Sequence, residues 1–124
     1  RRQRQMCIRD SPNSIRHLIP DFWKYFNFPD IVASLAPRPI ILTEGGLDRD
    51  FNLVKRAYEI SGHPENVETH HYQKYTAPET RNTAQNLPEG LGRASFYDSV
   101  NVDGPNHYFK NEFVLPWLDK VLAE

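Results

Sequence analysis

One stretch, Ala36-Pro-Arg-Pro-Ile-Ile-Leu-Thr-Glu-Gly-Gly-Leu-Asp48, constrains the fold more than any other part of the chain. Pro37 and Pro39 fix φ and lack amide donors, so they close the element before them. Ile40 to Glu44 is then a continuous apolar and β-branched run, the pattern of a parallel strand covered on both faces. Gly45-Gly46 breaks that run, and Asp48 follows as a carboxylate delivered by the loop. From Phe51 to Ile60 the apolar residues Leu53, Val54, Ala57, Tyr58 and Ile60 recur at helical spacing, with Gly62 as the stop. Val67 to Tyr72 alternates Val67, Thr69 and His71 against Glu68, His70 and Tyr72, as a half-buried strand does. Strand, helix, strand in this order predicts a right-handed crossover and an α/β fold class.

The flanks are less regular. Residues 1–20 read as an irregular connection, with Pro12, Asn13 and Ser14 as turn formers. Phe22, Trp23, Tyr25, Phe26 and Phe28 fit neither period cleanly; packing in the core or over a hydrophobic edge is expected of them. Asp30 is the expected N-cap of a short helix running to Leu35. Residues 75–99, rich in Thr, Asn, Pro, Gly and Arg, predict a long loop or insertion at the C-terminal edge of the sheet and a candidate lid. Asp103-Gly-Pro-Asn-His107 is a turn that delivers an imidazole. Beyond it Phe113, Val114, Trp117, Leu118, Val121 and Leu122 form one apolar stripe, in a helix expected to be regular only from near Pro116.

Composition narrows the function. With 15 basic and 16 acidic residues the net charge is −1, which provides no field to draw nucleic acid or an anionic membrane; a small substrate is the expectation. Arg1, Arg2 and Arg4 read as a solvated tail without the apolar core of a signal peptide or span. Cys7, the single cysteine, reads as a small hydrophobe and leaves the compartment undecided. His70 and His71 point to opposite strand faces, and adding His63 or His107 gives no ligand spacing, so neither metal nor cofactor is expected.

Phe28-Pro-Asp-Ile-Val-Ala-Ser-Leu-Ala-Pro-Arg-Pro-Ile-Ile-Leu-Thr-Glu-Gly-Gly-Leu-Asp48 resembles the segment that leads to the catalytic acid in dienelactone-hydrolase-like and acetyl-xylan-esterase-like α/β-hydrolases. Asn106-His107 and Leu115-Pro-Trp-Leu-Asp119 resemble the same group's His loop and last helix. The resemblance implies one partial α/β-hydrolase domain over 1–124, the C-terminal part of the parallel sheet, because 124 residues are few for the whole of it. It further implies Asp48 as the acid that orients a catalytic His and His107 as the general base, in serine-dependent carboxylic-ester hydrolysis through an acyl-enzyme. Asp50 competes with Asp48, and Asp48 read alone is equally a turn or cap carboxylate; a structure with Asp50 or Glu44 facing His107 would change the choice. No Gly-x-Ser-x-Gly elbow occurs, and Gly92-Arg-Ala-Ser95 has the wrong spacing, so the isolated chain is expected to be inactive. Its expected partners are an ester substrate and either a missing N-terminal half or a second copy of the chain. The rival class is a catalytically silent binding or packing module.

Overall fold

A computed structural model describes residues 25–88 and 90–123. The expectations on 1–20, Cys7, the N-terminal arginines, Phe22 and Trp23 lie outside those residues. The chain order is helix α1 (Phe28–Ala33), strand β1 (Ile40–Leu42), helix α2 (Asp48–Ile60), strand β2 (Val67–Thr69), helix α3 (Arg93–Ser99) and helix α4 (Asn111–Leu122). Single 3₁₀ turns lie at Pro64–Asn66, Gln73–Tyr75, Pro78–Thr80 and Gly104–Asn106.

α1 begins two residues before Asp30. Pro29 needs no donor in a first turn, so Asn27 becomes the cap and Asp30 the third helical residue. The Asn27 amide donates to Asp30 Oδ2 at 2.6 Å and the Asn27 side chain accepts from the Phe28 amide at 3.0 Å, within a reciprocal capping box. The Ala36–Pro39 turn is held from α2's side: the Tyr58 hydroxyl donates to the Arg38 carbonyl at 2.5 Å, and Asn66 Nδ2 to the Pro37 carbonyl at 2.7 Å. The Ala36–Pro37 peptide is cis.

β1 and β2 pair in parallel, Ile40 with Val67, Ile41 with Glu68 and Leu42 with Thr69, and the His70 amide extends the ladder to the Leu42 carbonyl at 2.7 Å. Both strands are half-buried, whereas the apolar run of β1 predicts cover on both faces. The described sheet has two strands, so each strand has only one paired edge among the described residues. α2 bridges them and buries Phe51, Val54 and Tyr58, each contributing roughly 1.5–3 kcal/mol by removal from water. Leu53 and Ile60, expected on that face, are exposed, and Phe51 takes their place. The helix ends in a Schellman motif: Gly62, at φ +81°, donates to Glu59 and His63 donates to Tyr58.

Two expectations about the second half are corrected. Residues 75–99 are not one irregular loop, since Arg93–Ser99 is helical; α3 buries none of its residues, so it has no apolar stripe to give a period. Tyr75 and Leu87 are buried in the preceding stretch, and the Asn82 side chain donates to the Ser99 carbonyl at 2.7 Å. α4 starts at Asn111 rather than near Pro116, which lies inside it; the Val114 amide bonds the Lys110 carbonyl at 2.9 Å, so the first turn closes before the proline removes a donor. Tyr25, Phe26 and Phe28 are exposed, against the expectation of core packing.

Candidate active site

Both strands deliver side chains past their C-terminal ends, the edge at which α/β sheets place their chemistry. β1 leads into Glu44 and the Gly45-Gly46 turn, and β2 leads through His70 and His71 to Tyr72. The glycines are required by contact. A Cβ on Gly45, at φ +71°, would lie 2.4 Å from the Asn101 carbonyl oxygen and 2.8 Å from the Tyr72 ring. Asn101 is fully buried at φ 59°; its Nδ2 donates to the Gly46 carbonyl at 3.1 Å and its Oδ1 accepts from the Asn82 amide at 2.7 Å. The acid-bearing loop is thereby fixed from both sides.

The Asp103–His107 segment turns through Gly104–Asn106, with the Asn106 amide on the Asp103 carbonyl at 3.0 Å and the His107 amide on the Gly104 carbonyl at 3.2 Å. The resulting imidazole meets Glu44, not Asp48: His107 Nδ1 lies 2.5 Å from Glu44 Oε2. The Tyr72 hydroxyl donates to the same oxygen and lies 3.2 Å from His107 Nδ1. Lys110 Nζ stands 3.5 Å from Glu44 Oε1. With Nδ1 on the carboxylate, Nε2 makes no hydrogen bond among the described residues, and the His107 side chain is 69% exposed. Beside it lies a cleft of about 540 Å³ walled by Arg93, Tyr97, Val102, Gly104 and Pro105.

Asp48 sits elsewhere, as the first residue of α2. There its Oδ1 faces His71 Nε2 at 3.1 Å and Arg81 Nε at 3.3 Å, and its charge complements the positive end of the helix. The further loop residues between Glu44 and Asp48 carry the latter into the helix start, away from the His loop. Asp50 is in the same first turn, 3.4 Å from Arg49 Nε. Burial, ahead of the Arg81 charge, lowers the His71 pKa below the usual imidazole range.

The remaining described histidines have their own carboxylates, His63 with Glu65 at 3.1 Å and His70 with Glu68 at 2.6 Å, and His70 stacks on Phe113 of α4 at 4.0 Å. Among the described residues no group of three His, Cys, Asp or Glu side chains is placed to hold a metal. None of their helices is long and apolar enough to cross a membrane.

Residues 2–120 match Abhydrolase_7, an Abhydrolase family. The chain belongs to this family. The abhydrolase is also similar to a crystal structure from Bacteroides fragilis NCTC 9343 of a protein provisionally named an acetyl xylan esterase: 68% identity, TM-score 0.85, over 91% of this chain. The abhydrolase spans 29% of the length of that neighbour. No curated protein is significantly similar. The two-stranded parallel sheet and its helices are part of an α/β-hydrolase fold.

The sequence expectation pairs His107 with Asp48 and keeps Asp50 and Glu44 only as alternative acids; Tyr72 and Lys110 lie outside it. The available signal for Glu44 was its place at the very end of the β1 run, immediately before two glycines.

Proposed function

We propose that this abhydrolase contributes the acid and the base of a serine carboxylic-ester hydrolase, with Glu44 in the orienting role and His107 as general base. The contact between His107 Nδ1 and Glu44 Oε2 carries the reading. A carboxylate on Nδ1 fixes the tautomer whose Nε2 is the free base and stabilises the imidazolium that forms when the serine proton is taken. The acyl group then passes to the serine, and His107 returns the proton to the leaving alcohol before activating water for deacylation. Asp48, expected in this role, holds the start of α2 instead.

The serine and oxyanion hole are assigned to a part of the protein beyond these 124 residues. No Gly-x-Ser-x-Gly is present, and Ser34, Ser61 and Ser99 each donate to the carbonyl three residues back, at 2.6, 2.8 and 2.7 Å. The name of the Bacteroides fragilis neighbour favours acetyl esters of a carbohydrate as substrates, and the cleft walled by α3 would receive the alcohol. Fluorophosphonate labelling of the longest form of the protein tests the proposal. One labelled serine outside these residues, with labelling slowed in H107A, is the expected result; labelling of a serine within them would refute the division of roles.

A further inference from the structure

We propose that Tyr72 and Lys110 are positioning residues that clamp the Glu44 carboxylate against His107, an inference that rests on the acid–base reading of that pair. A glutamate has one more rotatable bond than the aspartate usual in this role, and its terminal torsion is broad. An acid that must hold a tautomer therefore needs anchoring at both oxygens. Here both are engaged. Oε2 takes the Tyr72 hydroxyl beside His107 Nδ1, and Oε1 faces the Lys110 ammonium at 3.5 Å.

Neither anchor is a loose surface group. Tyr72 is 2% exposed, and burial first, then its bond to Glu44, pushes the phenol up from its ordinary pKa, so it stays a donor throughout the working pH range. Lys110 is 5% exposed, and its ammonium donates to the carbonyls of Asn106 at 2.5 Å and Tyr108 at 2.9 Å, the two neighbours of His107. It also lies over the rings of Tyr72, 4.9 Å from the centroid, and Tyr108, 3.6 Å. One cation thus ties the His loop to the acid. A buried ammonium is stable only when paired, and Glu44 supplies the carboxylate.

The charge has a second consequence. The ionisable groups facing the pair are Tyr72 and Lys110, with Asp103 acting on Tyr72 from the turn. Without the Lys110 charge, the Glu44 carboxylate acts on His107 unopposed and favours the imidazolium. The acid limb of kcat/KM should then move to higher pH.

The experiment compares Y72F, K110M and K110R with E44Q and H107A in the longest form of the protein, and measures the His107 ring by ¹⁵N NMR in that same form. Y72F should lower kcat about tenfold at unchanged KM, the loss of one hydrogen bond to a charged group. K110M should shift the acid limb of kcat/KM upward, and K110R should restore it. In that form, the wild type should show one Nδ1–H tautomer of His107, and Y72F a mixture. If Y72F and K110M keep wild-type kcat and pH profile while H107A and E44Q are inactive, the clamp is refuted and the acid–base pair stands. If H107A and E44Q are as active as wild type, the pair itself is refuted. Should K110M fail to fold, the near-isosteric Y72F decides: an unchanged His107 tautomer overturns the proposal.

Discussion

At the scale of single residues, His71 is the imidazole whose state matters for stability. Its Nε2 faces Asp48 at 3.1 Å, while Nδ1 is buried with no hydrogen-bond partner. Burial outweighs the Asp48 carboxylate and lowers the pKa, so the folded state binds the proton less readily than the unfolded chain. The stability this neutral imidazole contributes is complete above the unfolded value, about 6.5, and is lost as pH falls toward the lower folded value. Urea denaturation between about pH 7.5 and 5 should therefore show falling stability in the wild type and a flatter profile in H71Q. Equal slopes would remove His71 as the source. Asp48, which serves the helix start as well as His71 and Arg81, should cost about 1 kcal/mol when changed to Asn, read from the same titration.

At the scale of elements, the acid loop is fixed by backbone contact, and Gly45→Ala is the severe substitution. It forces a Cβ onto the Asn101 carbonyl at 2.4 Å and strains a positive φ, a loss of about 2 kcal/mol or more in denaturant titration. A G45A variant as stable as wild type would mean that this loop is free to move. α3 gives a separate prediction: Arg93 stacks on Tyr97, 5.6 Å from its centroid, in the cleft beside His107, so Y97A should change the ratio of kcat/KM between bulky and small esters more than the melting temperature. The β1–α2–β2 order, the Gly62 stop and the His107 turn were legible because each rests on local chemistry: apolar period, a glycine at positive φ, and a Gly-Pro turn. The choice between Glu44 and Asp48 was not legible. Both are carboxylates near one turn, and a tertiary contact with a loop distant in sequence decides between them. α3 and the first turn of α4 were hidden for another reason. One buries no residue, and the other is masked by Pro116, which reads as a boundary although the helix is already formed ahead of it.

At the scale of the molecule, β1 and β2 are half-buried, and the apolar stripe of α4 has no fully buried member, with Leu122 80% exposed. Tyr25, Phe26, Phe28 and Ile31 are exposed as well. The neighbour from Bacteroides fragilis is more than three times as long, which supports our proposal that the remainder of an α/β-hydrolase covers these surfaces. In isolation the chain should associate, and light scattering at micromolar concentration should report species larger than a 14.5 kDa monomer. A folded monomer there would argue that the exposed stripe needs no cover. The central claim, that Glu44 rather than Asp48 orients His107, is tested most directly by steady-state hydrolysis of an acetyl ester by E44Q and D48N in the longest form of the protein. The account predicts that E44Q loses roughly 10³–10⁴-fold in kcat while D48N stays within a few-fold of wild type; an active E44Q with an inactive D48N would contradict it.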